Sequence, residues 1–256
     1  MVHRQEVESC LQELLRPELF KDYGPNGLQV QGGPEVRRLC TGVTASRAFI
    51  EAAIDAGADT LLVHHGLFWR GQDGRLTGWL AERVRLLMKH GINLLAYHLP
   101  LDAHAELGNN AQLGLRLGLV ADARFGEQDL GFIGPFLGVA GATPGVNTLD
   151  ALVATAGSVL SRTITAVPGD GRPLRRVAWC TGGAQGYFEP AIAAGADAFI
   201  TGEISEPQAH LARETGVAFL ACGHHATERF GVQAVGRHVA AGLGLEHLHL
   251  EIENPA

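Results

Sequence analysis

The sequence lacks any apolar run that approaches the roughly 20 residues of a transmembrane helix, and it has no low-complexity tract. It also lacks a basic run, since 20 Lys and Arg stand against 27 Asp and Glu, for a formal net charge of -7. Basic residues pair only locally, at Arg37-Arg38 and Arg175-Arg176. We therefore expect no membrane-spanning helix, and the charge balance argues against a nucleic-acid-binding surface.

Cysteine is scarce, and no two cysteines form a CxxC pair. The four are Cys10, Cys40, Cys180 and Cys222. A chain of 256 residues can bury a core without disulfide bonds, so we interpret them as reduced core thiols, with a thiolate metal site as the alternative. Residues 7–15 show helical spacing of apolar residues rather than a secretory pattern, and we expect a cytoplasmic protein.

Several nucleotide and hydrolase motifs are missing as well: the GxSxG elbow, the P-loop and the GxGxxG fingerprint. The chain has instead 34 glycines and a hydrophobic fraction of 46%. This composition is typical of a globular protein with many tight turns.

An internal repeat organises the chain. Residues 51–63 and 189–201 each show a helix, a Gly that ends it, and a short buried strand. Residues 86–98 and 211–224 form a second matching pair, in the same order. Two matches in one order indicate duplicated α/β units.

The periodicity predicts an α/β fold in which strands alternate with helices. Strands are expected near residues 39–44, 60–64, 93–97, 137–141, 177–181, 198–201 and 217–222. Helices are expected near residues 5–15, 46–56, 78–90, 109–117, 148–159, 187–194, 206–214 and 226–241. The Gly- and Pro-containing stretch 120–135 predicts a crossing between domains. We expect a first α/β domain of residues 1–124 and 223–256, and a second of residues 125–222.

Reactive side chains cluster just after predicted strands, where parallel α/β sheets bind their ligands. The first cluster is His64-His65-Gly66. Adjacent residues that leave a strand point in different directions, so the two histidines can serve two neighbouring metals. Gly66 lets the chain turn sharply and leaves space beside the site. The alternative is a pair of polar residues at a strand end.

The second cluster runs from His98 to His104 and contains Pro100 and Asp102. Pro100 holds the chain extended before it turns, and Asp102 can bridge two cations with its two oxygens. His98 is either a ligand or a residue that orients another ligand or a water molecule.

The third cluster contains His224, His225 and Glu228, on a helix that starts at or just after the His pair. His224 and Glu228 are four residues apart and share one helix face, and His225 and Glu228 are the competing pair. The alternative is an ordinary helix N-terminus with a surface ion pair. Glu203 occupies the repeat position of His65 and can face the same cavity, whereas Asn109-Asn110 could cap a helix.

These clusters combine imidazole and carboxylate without thiolate, which suits Zn, Mn, Fe, Co or Ni. Two cations that share bridging carboxylates lie roughly 3.5–4 Å apart. Such a pair can lower the pKa of a bridging water until hydroxide forms near pH 7.

The motifs, taken in order, resemble the NIF-three-like dinuclear-metal family, whose bacterial members are often labelled type 2 GTP cyclohydrolase I homologues. Besides the three clusters, the resemblance rests on Asn26-Gly27-Leu28-Gln29-Val30, Leu107-Gly108-Asn109-Asn110-Ala111 and Gly202-Glu203-Ile204-Ser205. It covers the chain from about residue 23 onwards and fits the short bacterial form. It implies two interlocked α/β domains related by internal duplication, with mixed sheets and a metal site in the cleft at the strand C-terminal ends. It also implies a toroidal homohexamer, built as a trimer of dimers.

The resemblance further implies two divalent metal ions per chain. It maps the metal ligands onto His64, His65, Asp102, His224 and Glu228. The family spacing His-x-x-x-Glu favours His224 over His225 in this set. The implied activity is that of a metal-dependent hydrolase of the GTP cyclohydrolase kind, in which a metal-bridged hydroxide attacks a small-molecule substrate. Candidates for proton transfer are His98, Glu203 and His225. The alternative is a non-catalytic metal-binding or regulatory hexameric ring protein.

Overall fold

The structure, a computed structural model, describes residues 1–137 and 147–256. The chain forms two compact units. The first comprises Met1–Gly108 and Gly231–Glu253, and the second comprises Asn109–Phe230 and Asn254–Ala256. Each unit contains a mixed β-sheet with helices, which confirms the predicted α/β class.

Strands and helices alternate along much of the chain. The strands are β1 (Val2–His3), β2 (Gly27–Val30), β3 (Glu35–Val36), β4 (Arg38–Thr44), β5 (Thr60–His65), β6 (Asn93–Ala96), β7 (Ala123–Phe125), β8 (Gly131–Pro135), β9 (Thr165–Val167), β10 (Arg176–Trp179), β11 (Ala198–Thr201), β12 (Ala218–Ala221) and β13 (Glu246–His249). The helices are α1 (Arg4–Leu15), α2 (Arg47–Asp55), α3 (Gly78–Lys89), α4 (Leu99–Ala103), α5 (Asn109–Leu117), α6 (Leu149–Leu160), α7 (Phe188–Ala193), α8 (Glu206–Thr215) and α9 (His224–Leu243).

The first unit is built on a five-stranded sheet of order β13-β4-β5-β6-β2, in which only β2 runs antiparallel to its neighbour. Residues of β5 alternate between the two faces of this sheet: Leu61 and Val63 pack in one core cluster and Leu62 in the other. Both faces are therefore buried, which explains the nearly continuous apolar run of β5. Each such side chain contributes about 1.5–3 kcal/mol by its burial.

The second unit is built on a six-stranded sheet of order β7-β8-β10-β11-β12-β9. The three strands β10, β11 and β12 are parallel, and β8 and β9 flank them in antiparallel orientation. Trp179 at the end of β10 is buried in the core, where its ring lies 5.7 Å from that of Phe132. The C-terminal ends of the parallel strands carry the loops with Gly182 and Glu203.

The two sheets share a common plan, in keeping with the predicted internal duplication. In each, three parallel strands are joined by two helices, and an antiparallel strand pairs with the last of the three. The likeness extends to single hydrogen bonds. Asp59 Oδ2 accepts from the backbone N–H groups of Arg37 and Arg38, at 2.8 and 3.1 Å. Asp197 Oδ2 accepts in the same way from two consecutive N–H groups, at 2.8 and 3.0 Å.

The predicted elements of the repeat are confirmed as β5, β6, β11, β12 and the helices before them. The strand predicted near residues 137–141 lies, apart from Leu137, outside the described residues. Seven strands, β1, β2, β3, β7, β8, β9 and β13, had not been predicted. Six of them have only two to four residues, which carry too little periodicity. The seventh, β8, lies in the stretch 120–135 that had been predicted as a crossing between domains. Of the seven, β2 takes in four of the five residues of the Asn26-Gly27-Leu28-Gln29-Val30 motif. Within the described ranges, no helix has the length and apolarity that a bilayer crossing requires.

Candidate metal centre

The end of β5 carries two adjacent imidazoles in the first unit. His64 is fully buried and His65 half-buried, and their ring centroids lie 4.5 Å apart. Nδ1 of His64 lies 3.1 Å from the carbonyl oxygen of Tyr97, and Nδ1 of His65 lies 3.2 Å from the Thr44 hydroxyl. Since an oxygen engages each Nδ1, Nε2 is the nitrogen that each ring offers to a metal.

Asp102 belongs to the short helix α4, which starts directly after His98 and has Pro100 in its first turn. Its side chain is buried, and its Oδ1 lies 3.6 Å from Nε2 of His64. A buried carboxylate thus faces the nitrogen that the buried imidazole offers. Burying these two groups side by side is costly unless a cation or proton compensates the charge.

A third imidazole, that of His98, faces the same place. One nitrogen from each of His64, His65 and His98 lies within 4.8 Å of the others. His98 also packs edge-on against Trp69, with centroids 5.1 Å apart and an interplanar angle of 88°. These three imidazoles, of which His64 is buried and His65 and His98 are half-buried, could hold a metal ion; we call His64, His65 and Asp102 the first half-site.

The loop before β2 supports the first half-site from behind. Asn26 Oδ1 accepts a hydrogen bond from the backbone N–H of His98 at 2.8 Å, and Asn26 Nδ2 donates to Asp22 at 2.9 Å. Asp22 Oδ1 in turn lies 2.7 Å from Nδ1 of His98. The sequence motif around Asn26 therefore contributes by anchoring His98. Asp22 had not been singled out, because it lies 76 positions before its histidine.

Gly66 serves the site in a different way from the one predicted. Its φ angle is not among the positive ones, so it is not needed for a sharp turn. A Cβ at this position would lie 2.3 Å from Oε1 of Gln29. That same oxygen accepts a hydrogen bond from the N–H of Leu67 at 2.7 Å. Gly66 thus makes room for the amide that holds the chain after the His pair.

In the second unit, the start of α9 brings His224 and Glu228 together. Nε2 of His224 lies 3.4 Å from Oε2 of Glu228, whose residue is 2% exposed. Glu203 lies on the other side of the ring, with Oε1 2.6 Å from Nδ1 of His224. His225 is the next residue along the helix and is buried. The structure therefore places His224 between two carboxylates; we call His224, Glu203 and Glu228 the second half-site.

The two carboxylates change the acidity of His224. Its hydrogen bond to Glu228 raises its pKa to about 9, with further contributions from the charge of Glu228 and from Glu203, while burial acts in the opposite direction. The ring is consequently protonated at neutral pH when no metal is bound. A metal ion that binds this nitrogen must displace the proton, as is usual for imidazole ligands.

A glycine cradle surrounds the second half-site. A Cβ on Gly182, whose φ is +72°, would lie 2.1 Å from Oε1 of Glu228, and one on Gly202 would lie 2.5 Å from Cα of His224. The N–H of Gly182 donates to the Thr227 hydroxyl at 3.0 Å. These close approaches hold the Glu228 carboxylate in one place. The signal in the sequence was the Gly pair that follows the predicted strand 177–181.

Asn110 supports the same loop and does not act as the helix cap suggested for it. Its Oδ1 accepts from the backbone N–H of Thr181 at 2.9 Å, and its Nδ2 donates to the carbonyl of Leu130 at 3.1 Å. The indole N–H of Trp179 donates to the Asn110 carbonyl at 2.8 Å. Asn110 thus ties the end of β10 to the start of α5, directly before the glycine cradle.

The donor atoms of both half-sites suit divalent transition metals. Imidazole nitrogens and carboxylate oxygens are the ligands that Zn, Mn, Fe, Co and Ni bind in proteins. The oxygens behind the rings are those that usually orient metal-binding histidines. The three imidazoles of the first unit could therefore hold a metal ion, and His224 and Glu228 offer donor atoms of the same types.

Comparison with known proteins gives a consistent assignment. The family model Duf34/NIF3 (NGG1p interacting factor 3) matches residues 2–255. A Neisseria meningitidis serogroup A protein named "GTP cyclohydrolase 1 type 2 homolog" is 50% identical over 256 residues, 100% of both chains. The solved structure titled "protein ybgI, unknown function" has a TM-score of 0.92 at 40% identity, and that of TTHA1606 from Thermus thermophilus has 0.83 at 31%; each covers 100% of both chains. The chain belongs to the Duf34/NIF3 family.

Proposed function

We propose that this protein binds two divalent metal ions through His64, His65, Asp102, His224 and Glu228 and acts as a metal-dependent hydrolase on a small-molecule substrate. The observation that carries the proposal is the orientation of three histidine rings. His64, His65 and His224 each have Nδ1 engaged by an oxygen, so that each offers Nε2 to a metal. The names of the curated relatives support a reaction of the GTP cyclohydrolase type.

Two bound ions would supply Lewis acidity and a strongly acidified water molecule to the reaction. The protein's own residues then have two tasks. Glu203 and the Tyr97 carbonyl hold the rings of His224 and His64 in place. Proton transfer falls to His98, His225 or Glu203, of which Glu203 is already committed to His224.

Metal analysis tests the first part of the proposal. We expect about two metals per chain after reconstitution with Zn, Mn, Fe, Co or Ni, measured by elemental analysis. Asp102→Ala and Glu228→Ala should lose metal, whereas Glu206→Ala, which removes an exposed carboxylate, should not. A wild-type chain without metal after reconstitution would contradict the proposal.

Turnover tests the second part on the same samples. We expect the metal-loaded wild type to release formate from GTP, and the two metal-poor variants to release none. If metal is present and neither GTP nor a panel of other nucleotides is turned over, the hydrolase function fails and the metal site stands.

One observation favours a second candidate, a non-catalytic metal-binding or regulatory ring protein. The cavity that His64 and His98 line in the first unit measures only about 10 Å³. This is the space of a single water molecule. A metal-loaded chain without turnover would favour this alternative.

The proposal extends to assembly and location. We propose a homohexamer, a trimer of dimers, supported by the family resemblance and by the apolar side chains that α3 exposes, such as Trp79 (60%) and Met88 (66%). Light scattering should give about six times the chain mass of 27.1 kDa. A monomer at micromolar concentration would contradict this. We further propose a cytoplasmic location, where its free cysteines stay reduced.

A further inference from the structure

Asp22 is a buried carboxylate whose two oxygens are both engaged by hydrogen-bond donors. Its side chain is 3% exposed. Oδ2 accepts from the backbone N–H of Leu99 and from the amide of Asn26, both at 2.9 Å. Oδ1 accepts from the N–H of Tyr23 at 2.6 Å and lies 2.7 Å from Nδ1 of His98. The Asp22 side chain is therefore held in one position by hydrogen bonds to both of its oxygens.

These contacts decide which nitrogen of His98 carries the proton. A carboxylate only accepts hydrogen bonds, so Nδ1 of His98 must be the donor. Hydrogen-bond donors face both oxygens of Asp22, so neither oxygen carries a proton. His98 is held as the Nδ1–H tautomer, and Nε2 becomes the nitrogen that presents a lone pair.

The surroundings of the His98 ring are equally well defined. Its centroid lies 5.0 Å from that of His64 and 5.1 Å from that of Trp69. Asn26 holds the His98 backbone at the same time as it holds Asp22. Both the position and the tautomer of the ring are consequently set from one side, the side away from the first half-site.

We propose that Asp22 is a positioning residue that holds His98 with Nε2 ready for proton transfer beside the first half-site. The inference deepens the proposed function and rests on it for the reaction itself. In a hydrolysis, Nε2 would accept one proton from the attacking water as the water oxygen bonds to the substrate. It would return that proton to the leaving group, so the ring is unchanged after each cycle.

The variant Asp22→Asn makes a sharp test because it inverts this arrangement without changing the size of the side chain. Two donors, the N–H of Leu99 and the amide of Asn26, face the Oδ2 position, and one backbone donor, the N–H of Tyr23, faces Oδ1. We therefore expect the single Asn oxygen at the Oδ2 position, where it keeps two hydrogen bonds. The new NH₂ group then faces Nδ1 of His98, which must become an acceptor. The proton moves to Nε2, and the lone pair beside the half-site is lost.

Nitrogen NMR of the full, metal-loaded chain with ¹⁵N-labelled histidine reads the tautomer directly. We expect Nδ1–H in the wild type at pH 8 and Nε2–H in Asp22→Asn, with His98→Gln identifying the signal. Asp59→Asn is the matched control, because Asp59 likewise accepts two backbone N–H bonds, and these come from Arg37 and Arg38, far along the chain from His98. A proton on Nε2 in the wild type, or one tautomer in both proteins, would overturn the proposal.

Metal content and turnover complete the test. Asp22→Asn should keep its metal, and its kcat should fall about 10²–10⁴-fold with little change in KM. Loss of metal from Asp22→Asn or His98→Gln would make His98 a ligand and overturn the proton-transfer role. A wild type without turnover would refute the proposed hydrolase function, whereas the tautomer measurement would still decide whether Asp22 positions His98.

Discussion

The carboxylate of Glu203 lies 2.6 Å from Nδ1 of His224 and turns Nε2 of that ring toward Glu228. The same arrangement recurs at other rings with different oxygens. A backbone carbonyl engages His64, a hydroxyl engages His65 and a buried carboxylate engages His98. A shared orientation from chemically different partners indicates that presentation of Nε2 is the common requirement of these positions.

Removing the carboxylate behind His224 should weaken metal binding. For Glu203→Ala we expect a 10–100-fold loss of affinity, because the ring loses both its orientation and the charge that raises its basicity. Competition with a chelator measures the affinity. Glu206→Ala is the control, since it removes a carboxylate that lies 2.8 Å from an exposed histidine, His210. Equal affinities for Glu203→Ala and the wild type would refute the role of Glu203.

Filling the glycine cradle should displace Glu228. Gly182→Ala places a Cβ 2.1 Å from Oε1 of Glu228, whereas Gly171→Ala meets nothing within 4 Å. Both glycines have positive φ angles, so both variants carry about 1–2 kcal/mol of backbone strain. We expect Gly182→Ala to lose about 1–3 kcal/mol more in urea unfolding and to lose metal. If both variants behave alike, the cradle does not position the carboxylate.

Asp22 should make stability depend on pH in the acid range. Its pKa in the folded chain is about 2, below the ordinary value of 3.8. The charged form therefore stabilises the fold fully above about pH 4, by about 2 kcal/mol, and this contribution disappears as the pH falls toward 2. In urea unfolding, the gap between the wild type and Asp22→Asn should shrink from pH 6 to pH 2.5. A gap that is constant or grows in acid would show that the Asp22 charge does not stabilise the fold.

The cysteines should differ in reactivity. Burial raises the pKa values of Cys40 and Cys222 to about 12, so almost no thiolate forms at pH 8. Cys180 is also buried, and Cys10 is half-buried. With a thiol reagent at pH 8 we expect slow reaction of Cys10 alone in the folded chain, and of all four after unfolding. The variant Cys10→Ser should then show no reaction while folded. Any fast reaction of this variant would contradict the prediction that burial protects the other three thiols.

The sequence was sufficient to predict the repeat and the residues at its strand ends. Strands β5 and β11 lie where the repeat placed them, because long apolar runs that follow a helix and a glycine leave few alternatives. The choice between His224 and His225 beside Glu228 was left open by the residues alone. In the structure, Nε2 of His224 lies 3.4 Å from Oε2 of Glu228, a contact that depends on where α9 begins.

The residues that hold the histidines and their loops in place could not be predicted, because they form hydrogen bonds with residues far away in the sequence. Asp22 meets His98 over 76 positions, and Gln29 meets Leu67 over 38. Nothing in the local sequence marks such partners. The role of Gly182, which leaves room for Glu228, likewise depends on how β10 and α9 pack within the second unit.

The matching hydrogen bonds of Asp59 and Asp197 have an evolutionary consequence. Each carboxylate holds the backbone at the start of a parallel strand, β4 in the first unit and β10 in the second. Both lie away from the strand ends that carry the His and Glu clusters. After a duplication, such framework positions remain under the same folding constraint in both copies. The loops at the strand ends are released from it, so one copy now carries His64-His65 where the other carries Gly202-Glu203.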